Sequence, residues 1–276
     1  MTRNSFHSFD RFGNIALVKF SRDVKIKDKK QFANKLLHEN PAMRTILEKI
    51  GGFKGRLRKQ ETKYLLGEKT KEVLYKENGC VFRFNIDKTY FSPRLSNERN
   101  EIAGLIKKGE EVLVMFAGVA PYPIVIARNS KAKKIFSVEI NKEASKYAEM
   151  NVELNKVRDR VEIVQGDVKK LTLKLSHPPT QRKDKEKNKI PNKFDVIVMP
   201  RPQLKESFLH EAFALSKKNT RIYYYDFCKM DEKEIIVEKI KNEAKKNGKK
   251  IKILRTKIAG EIAPYKIRFR VDFVVL

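Results

Sequence analysis

The sequence is poor in cysteine and has no long apolar run. Cys80 and Cys228 are its only cysteines and have no CxxC spacing, which argues against a disulfide framework or a zinc site. The four histidines also lack the spacing of metal ligands. No stretch approaches the ~18 apolar residues of a membrane span, and the first residues lack an apolar signal-like segment. We therefore expect a soluble, cytoplasmic, monomeric protein with no metal and no membrane association.

Acidic residues are also scarce relative to basic ones. There are 62 Lys and Arg against 34 Asp and Glu, a formal charge of +28. Such an excess says more about partners than about fold. Polyanions are the obvious partners, and the phosphates of RNA or DNA are the commonest. The alternative is a solvated basic surface of the kind found throughout a lysine-rich proteome.

Residues 1–90 predict a small α+β domain. The segment 14–20 (NIALVKF) is strand-like, and 27–52 has helical periodicity that Asn40-Pro41 divides into two helices. Short strands are expected at 63–68, on both sides of Asn78-Gly79, and at 89–91 (TYF). Asn-Gly between strand-like runs is a strong hairpin signal.

Residues 91–276 predict a second domain in which strands and helices alternate. Strand patterns fall at 111–116, 133–140, 160–167, 194–200 and 220–227, and helical patterns at 96–109, 123–130, 142–157, 204–219 and 232–249. Alternation of this kind means a parallel sheet covered by helices. The chain closes with two strands and no helix between them, so the last strand is expected to be antiparallel. This is the Rossmann-like layout of a class I S-adenosylmethionine (SAM) methyltransferase, with a mostly parallel seven-stranded sheet.

The residues that follow each strand are candidate site residues, because ligands of such sheets bind at the carboxyl ends of the strands. The first strand is followed by Phe116-Ala117-Gly118-Val119-Ala120, small residues that let a ligand approach the backbone and the next helix N-terminus. Glu139 ends the second strand and can accept hydrogen bonds from ribose hydroxyls. Asp167 follows the third and can accept from an adenine amine, or can simply cap a helix. Met199 and Pro200 follow the fourth strand.

Several motifs resemble the archaeal tRNA (guanine-37 N1)-methyltransferases. They are YFSPRLSNER (90–99), FAGVAPYPI (116–124), VEIN (138–141), QGDV (165–168) and the proline-containing loop after the fourth strand. The wybutosine-synthesis 3-amino-3-carboxypropyl transferases are relatives with the same fold. The resemblance covers residues 8–276 and implies that the tRNA-elbow domain of some members is absent.

The resemblance implies roles for single residues. Ser92, Arg99 and the loop 116–120 help to hold SAM. Glu139 and Ile140 contact the ribose, and Asp167 and Val168 contact the adenine. Met199 and Pro200 complete the cofactor site. Arg94 is the catalytic or target-orienting arginine and contacts the tRNA together with Arg201. An arginine at position 94 favours methyl transfer over aminocarboxypropyl transfer.

Three positions depart from the family pattern. Val114 replaces an acidic residue, Ala120 replaces the third residue of GVGP, and Met199 replaces an asparagine that would supply an acceptor near the target base. A backbone carbonyl or Arg201 could take over that last role. The general base is not identified by the motifs; Glu98 and Asp226 are candidates that could equally be ordinary solvated residues.

Two rival functions share this fold. One is an aminocarboxypropyl transferase, and the other is a degenerate SAM-fold module that binds RNA without activity. The basic segment 181–193 has six Lys or Arg against two acids and enters the fourth strand from its start. We expect it to be a mobile connection that does not touch SAM.

Overall fold

The computed structural model describes residues 9–53, 55–176, 190–200 and 204–276, and the chain divides into two compact units, Met1–Pro93 and Arg94–Leu276. Within those described ranges, no helix is both long enough and apolar enough to cross a membrane.

The first unit is a small α+β structure. Its elements are β1 (Phe9–Phe12), β2 (Ile15–Val18), α1 (Ile26–Glu39), β3 (Thr45–Lys49), β4 (Thr62–Gly67), β5 (Glu72–Glu77) and β6 (Cys80–Asn85). Strands β1 to β4 form one sheet in that order, and β5 pairs with β6 in a hairpin. Asn78 and Gly79 both adopt positive φ at the hairpin turn, as the Asn-Gly signal predicts.

Two predictions for this unit are wrong. Thr45–Lys49 is a strand instead of a second helix, because Ile46 and Leu47 are fully buried and the segment pairs with both β2 and β4. Thr89–Phe91 is not a strand. The Thr89 backbone and hydroxyl both bond to the Asn85 carbonyl, and the Phe91 ring stacks on Phe84 at 4.8 Å.

The second unit alternates strands and helices as predicted. Its elements are α2 (Ser96–Leu105), β7 (Glu111–Met115), α3 (Pro121–Asn129), β8 (Lys134–Glu139), α4 (Lys142–Leu154), β9 (Val161–Gln165), α5 (Val168–Ser176), β10 (Phe194–Met199), α6 (Leu209–Ala214), β11 (Ser216–Lys229), α7 (Lys233–Lys246), β12 (Ile251–Ala263) and β13 (Lys266–Val275).

One seven-stranded sheet runs through this unit in the order β12-β13-β11-β10-β7-β8-β9. Neighbours from β11 to β9 are parallel, whereas β13 is antiparallel to both β11 and β12. The prediction of a mostly parallel sheet with an antiparallel last strand is confirmed. Strand β13 inserts between β11 and β12, so β7 to β12 all run in the same direction. Their carboxyl ends lie along one side of the sheet, which we call the carboxyl edge.

The sequence pattern misplaces several helix bounds in this unit. Helix α2 ends at Leu105 instead of Gly109, and α6 is one and a half turns long because β11 already begins at Ser216. Helix α5 has no counterpart among the helices predicted from the sequence. Its buried Val168, Leu171 and Leu175 follow the helical repeat that the surrounding lysines obscure.

Most of the predicted mobile connection, residues 181–189, falls outside the described residues. Ile190 packs against the core of the sheet, and the Lys193 ammonium donates to the Ala214 carbonyl at 2.6 Å. The chain is therefore anchored directly before β10.

Candidate cofactor and substrate site

The predicted cofactor loop, residues 116–120, curls tightly between β7 and α3. Phe116, Gly118 and Ala120 have φ of 58°, 59° and 65°, so three of its residues are left-handed. The Ala117 amide donates to the Val138 carbonyl of β8 at 3.0 Å, and the Ala120 amide donates to the Ala117 carbonyl at 3.0 Å. These bonds fix the loop at the carboxyl edge, where α3 begins with Pro121.

Small side chains keep the loop close to the sheet. Ala117, Val119 and Ala120 are almost completely buried. Ala120 adopts the left-handed conformation that glycine takes at less cost, so the loop keeps its shape at a local energetic penalty.

Glu139 lies at the end of β8 and is 8% exposed. One carboxylate oxygen accepts from the Gly118 amide at 2.7 Å, and the other accepts from the Asn141 amide at 2.7 Å. Burial raises the pKa of Glu139 above its usual value, while bonds from the Asn141, Gly118 and Ile140 amides oppose that rise. The side chain therefore ties the loop after β7 to the loop after β8 and holds an acceptor at this edge.

Asp167 caps α5. Its carboxylate accepts from the Lys169 amide at 3.0 Å, and the preceding Gly166 amide donates to the Glu139 carbonyl at 2.8 Å. Val168 is buried in the core and Ile140 is half-buried. The capping role that the sequence allowed for Asp167 is present; an additional role at the adenine stays a prediction.

The loop after β10 is only partly described. The Met199 side chain is fully buried in the main core, next to the sheet strands, and Pro200 is half-buried. A methionine in the core offers no polar group to a ligand, so only backbone groups of Met199 could serve the site. Arg201 lies outside the described residues.

Arg94 and Arg99 belong to the start of the second unit. Arg94 is exposed in a single 3₁₀ turn, Pro93–Leu95, directly before α2. Arg99 is 1% exposed, and its guanidinium carbon lies 5.9 Å from the ring centroid of Tyr122 in the first turn of α3. Ser92 belongs to the end of the first unit, and its role stays a prediction.

Both candidate bases are engaged in structural contacts. Glu98 accepts from the Tyr225 hydroxyl at 3.0 Å, from Arg270 at 2.8 Å and from Lys257. Asp226 accepts from the Tyr224 hydroxyl at 2.9 Å and from Lys239 at 3.0 Å. The structure thus favours the structural alternative for both carboxylates.

A buried ionic cluster around Arg270 is a feature that the sequence interpretation missed. Arg270 is fully buried and bonds to Glu98, Glu101 and Asp272 at 2.8, 2.6 and 2.8 Å. In β13 apolar residues alternate with Arg268, Arg270 and Asp272. That pattern predicts a polar, exposed face for Arg270, so periodicity gave no signal of the cluster. The cluster holds α2 against β13 and, through Lys257, against β12.

The described part of the chain contains no cluster of side chains suited to bind a metal ion. No group of three or more His, Cys, Asp or Glu side chains there could hold a metal ion, and Cys80 and Cys228 are buried and form no disulfide.

The sheet order, the antiparallel penultimate position of β13 and the carboxylate at the end of β8 define a class I methyltransferase. Comparison with known proteins identifies the family within this class of methyltransferases. The chain matches the TRM5/TYW2 methyltransferase domain over residues 73–254 and belongs to this family.

Similar proteins cover nearly the whole chain. The tRNA (guanine(37)-N(1))/4-demethylwyosine(37)-methyltransferase Taw22 of Nanoarchaeum equitans is 33% identical over 98% of this chain and 100% of its own length. The tRNA (guanine(37)-N(1))-methyltransferase Trm5b of Pyrococcus abyssi is 30% identical over 97% of this chain and 74% of its own, and its crystal structure superposes with a TM-score of 0.82. The structure of aTrm5 with tRNALeu is 26% identical, has a TM-score of 0.80, and covers 98% of this chain and 72% of that one.

Proposed function

We propose that this protein is a SAM-dependent tRNA methyltransferase that transfers a methyl group to N1 of guanine at position 37. The observation that carries the proposal is Glu139, a buried carboxylate bound to the cofactor loop at the carboxyl edge, in a chain of the TRM5/TYW2 family. The names of the N. equitans and P. abyssi relatives supply the substrate.

The residues at the carboxyl edge fit the chemistry of SAM. The buried Glu139 carboxylate accepts from the Gly118, Asn141 and Ile140 amides, and its two oxygens have about four lone-pair sites, so an acceptor position is left for a ribose hydroxyl. The small loop residues Ala117, Gly118 and Ala120 permit close approach of a ligand to the backbone. We assign Glu139 and Ile140 to the ribose, Asp167 and Val168 to the adenine, and Ser92, Arg99, Phe116, Val119 and the backbone of Met199 and Pro200 to the remainder.

When bound, SAM supplies an activated methyl group on a sulfonium. As the N–C bond forms, the C–S bond of the sulfonium would break and the thioether product would leave, while N1 of guanine would give its proton to a base or to water. Loss of that proton would place negative charge toward O6 of the base. Arg94 is exposed and permanently charged, and it is our candidate for stabilising that charge. Arg201 is proposed as a second contact to the tRNA. Orientation of base and methyl group supplies the rest.

A second candidate activity is methylation of 4-demethylwyosine at the same position. It is favoured by one observation: the N. equitans relative, which matches over its full length, carries both activities in its name. Aminocarboxypropyl transfer is the more distant alternative, because it would require attack at a different carbon of SAM.

Incubation with methyl-labelled SAM and an unmodified tRNA transcript tests the proposal. Nucleoside analysis should show 1-methylguanosine, and a transcript with position 37 changed to adenosine should remain unlabelled. A tRNA carrying 4-demethylwyosine tests the second activity. Transfer of label only from SAM labelled in its aminocarboxypropyl carbons would contradict the proposal.

The remaining parts of the proposal concern the whole chain. We assign the first unit an RNA-binding or linking role, since it precedes the catalytic unit and shares the basic character of the chain. We further propose that the enzyme acts as a cytoplasmic monomer and needs no metal, because SAM already provides the electrophile.

A further inference from the structure

The turn between β12 and β13 combines backbone strain with an exposed aromatic ring. Ala263 pairs with Lys266, so Pro264 and Tyr265 are the two turn residues. Tyr265 has φ of 61° and is 84% exposed. Proline at the first central position and a positive φ at the second fit a type II turn, in which glycine or asparagine is the usual second residue.

Within the described residues, the Tyr265 side chain is not buried in a way that would offset the strain of its backbone. A bulky residue in the left-handed region is energetically unfavourable. Phe208 shares this conformation, but its ring is buried and packs against Phe116 at 4.9 Å. The Tyr265 ring has no comparable burial, although its backbone carbonyl accepts from the Met230 amide at 3.1 Å. The backbone of the turn is thus held by a hydrogen bond, while the Tyr265 ring is exposed to solvent.

The turn projects from the edge that carries the proposed active site. The last pairing of β10 with β11 is Met199 with Tyr224, and β11 continues to Lys229 beside β13. These additional residues extend the strands by roughly 16 Å, since a strand rises about 3.3 Å per residue. Because β12 runs in the same direction as β11, its carboxyl end and the turn lie beyond the same edge as Pro200.

The surface around the ring suits an unpaired nucleobase next to a phosphate. An open groove of about 780 Å³ is lined by both turn residues and by Lys229, Met230, Asp231 and Lys266. The aromatic and apolar groups provide a stacking surface. Lys229 pairs with Glu232 at 3.6 Å, so the positive charge offered to a phosphate comes mainly from Lys266. The chain's charge of +28 favours a polyanion over a second copy of this chain.

We propose that Tyr265 is a stacking platform for an unpaired base of the RNA substrate and that it binds and orients that RNA without taking part in chemistry. The inference rests on the proposed RNA substrate but not on the identity of the methylated atom. Stacking on an aromatic side chain tolerates any base, so the site would add affinity more than sequence selectivity.

Four variants test the platform with an unmodified tRNA transcript. Tyr265→Ala and Tyr265→Gly should each weaken tRNA binding roughly 5- to 100-fold, as loss of one stacked base predicts. Tyr265→Phe keeps the ring and should bind within twofold of wild type. Leu254→Ala, a matched control at an exposed apolar residue (51% exposed) of β12, the strand that leads into the turn, should also bind normally.

Stability and chemistry separate the platform from a structural role. Tyr265→Gly should raise the melting temperature, because glycine relieves the turn, while it weakens RNA binding. SAM affinity and the single-turnover rate at saturating tRNA should stay within twofold of wild type. Unchanged tRNA binding by both the Ala and the Gly variants would overturn the inference, and so would a Phe variant as weak as Ala.

The two proposals fail separately. If the wild type methylates no guanine N1 while the Ala and Gly variants still lose RNA affinity, the proposed function fails and the platform stands. If the wild type methylates N1 and all four variants bind tRNA normally, the function stands and the platform is wrong.

Discussion

Side chains at the carboxyl edge are held mainly by backbone amides. Glu139 accepts from Gly118 and Asn141, and Asp167 accepts from Lys169. Backbone donors keep their positions when neighbouring side chains change. This explains how the loop can tolerate Ala120 and how a buried Met199 can coexist with an intact edge.

Glu139→Ala tests the ribose assignment. Removal of the carboxylate should weaken SAM binding about 10- to 100-fold, as expected for losing charge-assisted hydrogen bonds, and should leave tRNA binding nearly unchanged. Calorimetry with SAM and a filter-binding assay with tRNA give the two values. SAM affinity within twofold of wild type would exclude Glu139 from the ribose site.

Arg94→Ala tests charge stabilisation at the target base. The single-turnover rate should fall about 10²-fold, while SAM affinity and melting temperature stay the same because the side chain is exposed. Arg94→Lys should recover part of the rate, since it retains the charge without the planar guanidinium. Arg128→Ala, at an exposed arginine late in α3, is the matched control. A wild-type rate in Arg94→Ala would remove Arg94 from the catalytic role.

Ala120 allows a prediction about backbone strain. Ala120→Gly should change the free energy of unfolding by less than about 1 kcal/mol, because relief of the left-handed conformation is offset by unfolded-state entropy and lost burial. Ala120→Val should lower it by more than about 2 kcal/mol, because a β-branched residue tolerates positive φ poorly and has no space there. Urea unfolding measures both; equal stability of the two variants would contradict the conformation.

At the scale of elements, the Arg270 cluster fixes the helix that follows Arg94. Glu98 and Glu101 lie on α2, Lys257 on β12, and Arg270 on β13. Removing one member of a buried ion pair typically costs about 3–5 kcal/mol. The cluster therefore couples the position of α2 to the edge strand β12 and to its neighbour β13.

Acid should weaken this cluster in a defined pH window. Burial opposes ionisation of Glu101, but hydrogen bonds from Lys257 and Arg270 outweigh it and lower its pKa to about 2. The folded-state pKa lies below the ordinary 4.5, so the stabilisation is complete above 4.5 and is lost as the pH falls toward 2.

Glu101→Gln reports on that window. The variant should be less stable than wild type at pH 6–7, and the difference should shrink progressively between pH 4.5 and pH 2, as urea unfolding at several pH values will show. Lys241→Gln, which breaks an exposed pair with Glu238, should have little effect at any pH. A pH-independent difference for Glu101→Gln would contradict the ion-pair assignment.

At the scale of the whole molecule, the charge of +28 determines how RNA is approached. Long-range attraction acts before any specific contact forms, and it is screened by salt. SAM binding relies on buried hydrogen bonds at one edge, which salt affects much less.

Salt should therefore weaken tRNA binding much more than SAM binding. The logarithm of the tRNA association constant should fall linearly with the logarithm of salt concentration, by several decades between ~50 and ~200 mM if six or more phosphates are contacted. SAM affinity should change less than twofold over the same range. A salt-independent tRNA affinity would mean that the basic surface is merely solvated.

Apart from helix α5, the sequence by itself determined the order of strands and helices in the second unit, and it also determined the hairpin at Asn78-Gly79 and the carboxyl-edge positions of Glu139 and Asp167. Hydrophobic periodicity, turn residues and the edge rule for parallel sheets are local or topological properties, so they can be read without coordinates. Tertiary structure decided the rest. Thr45–Lys49 became a strand because two neighbours pair with it, the base candidates Glu98 and Asp226 became structural because distant cations reach them, and Met199 turned into the core. Each outcome depends on partners far away in the chain, which local sequence pattern does not encode.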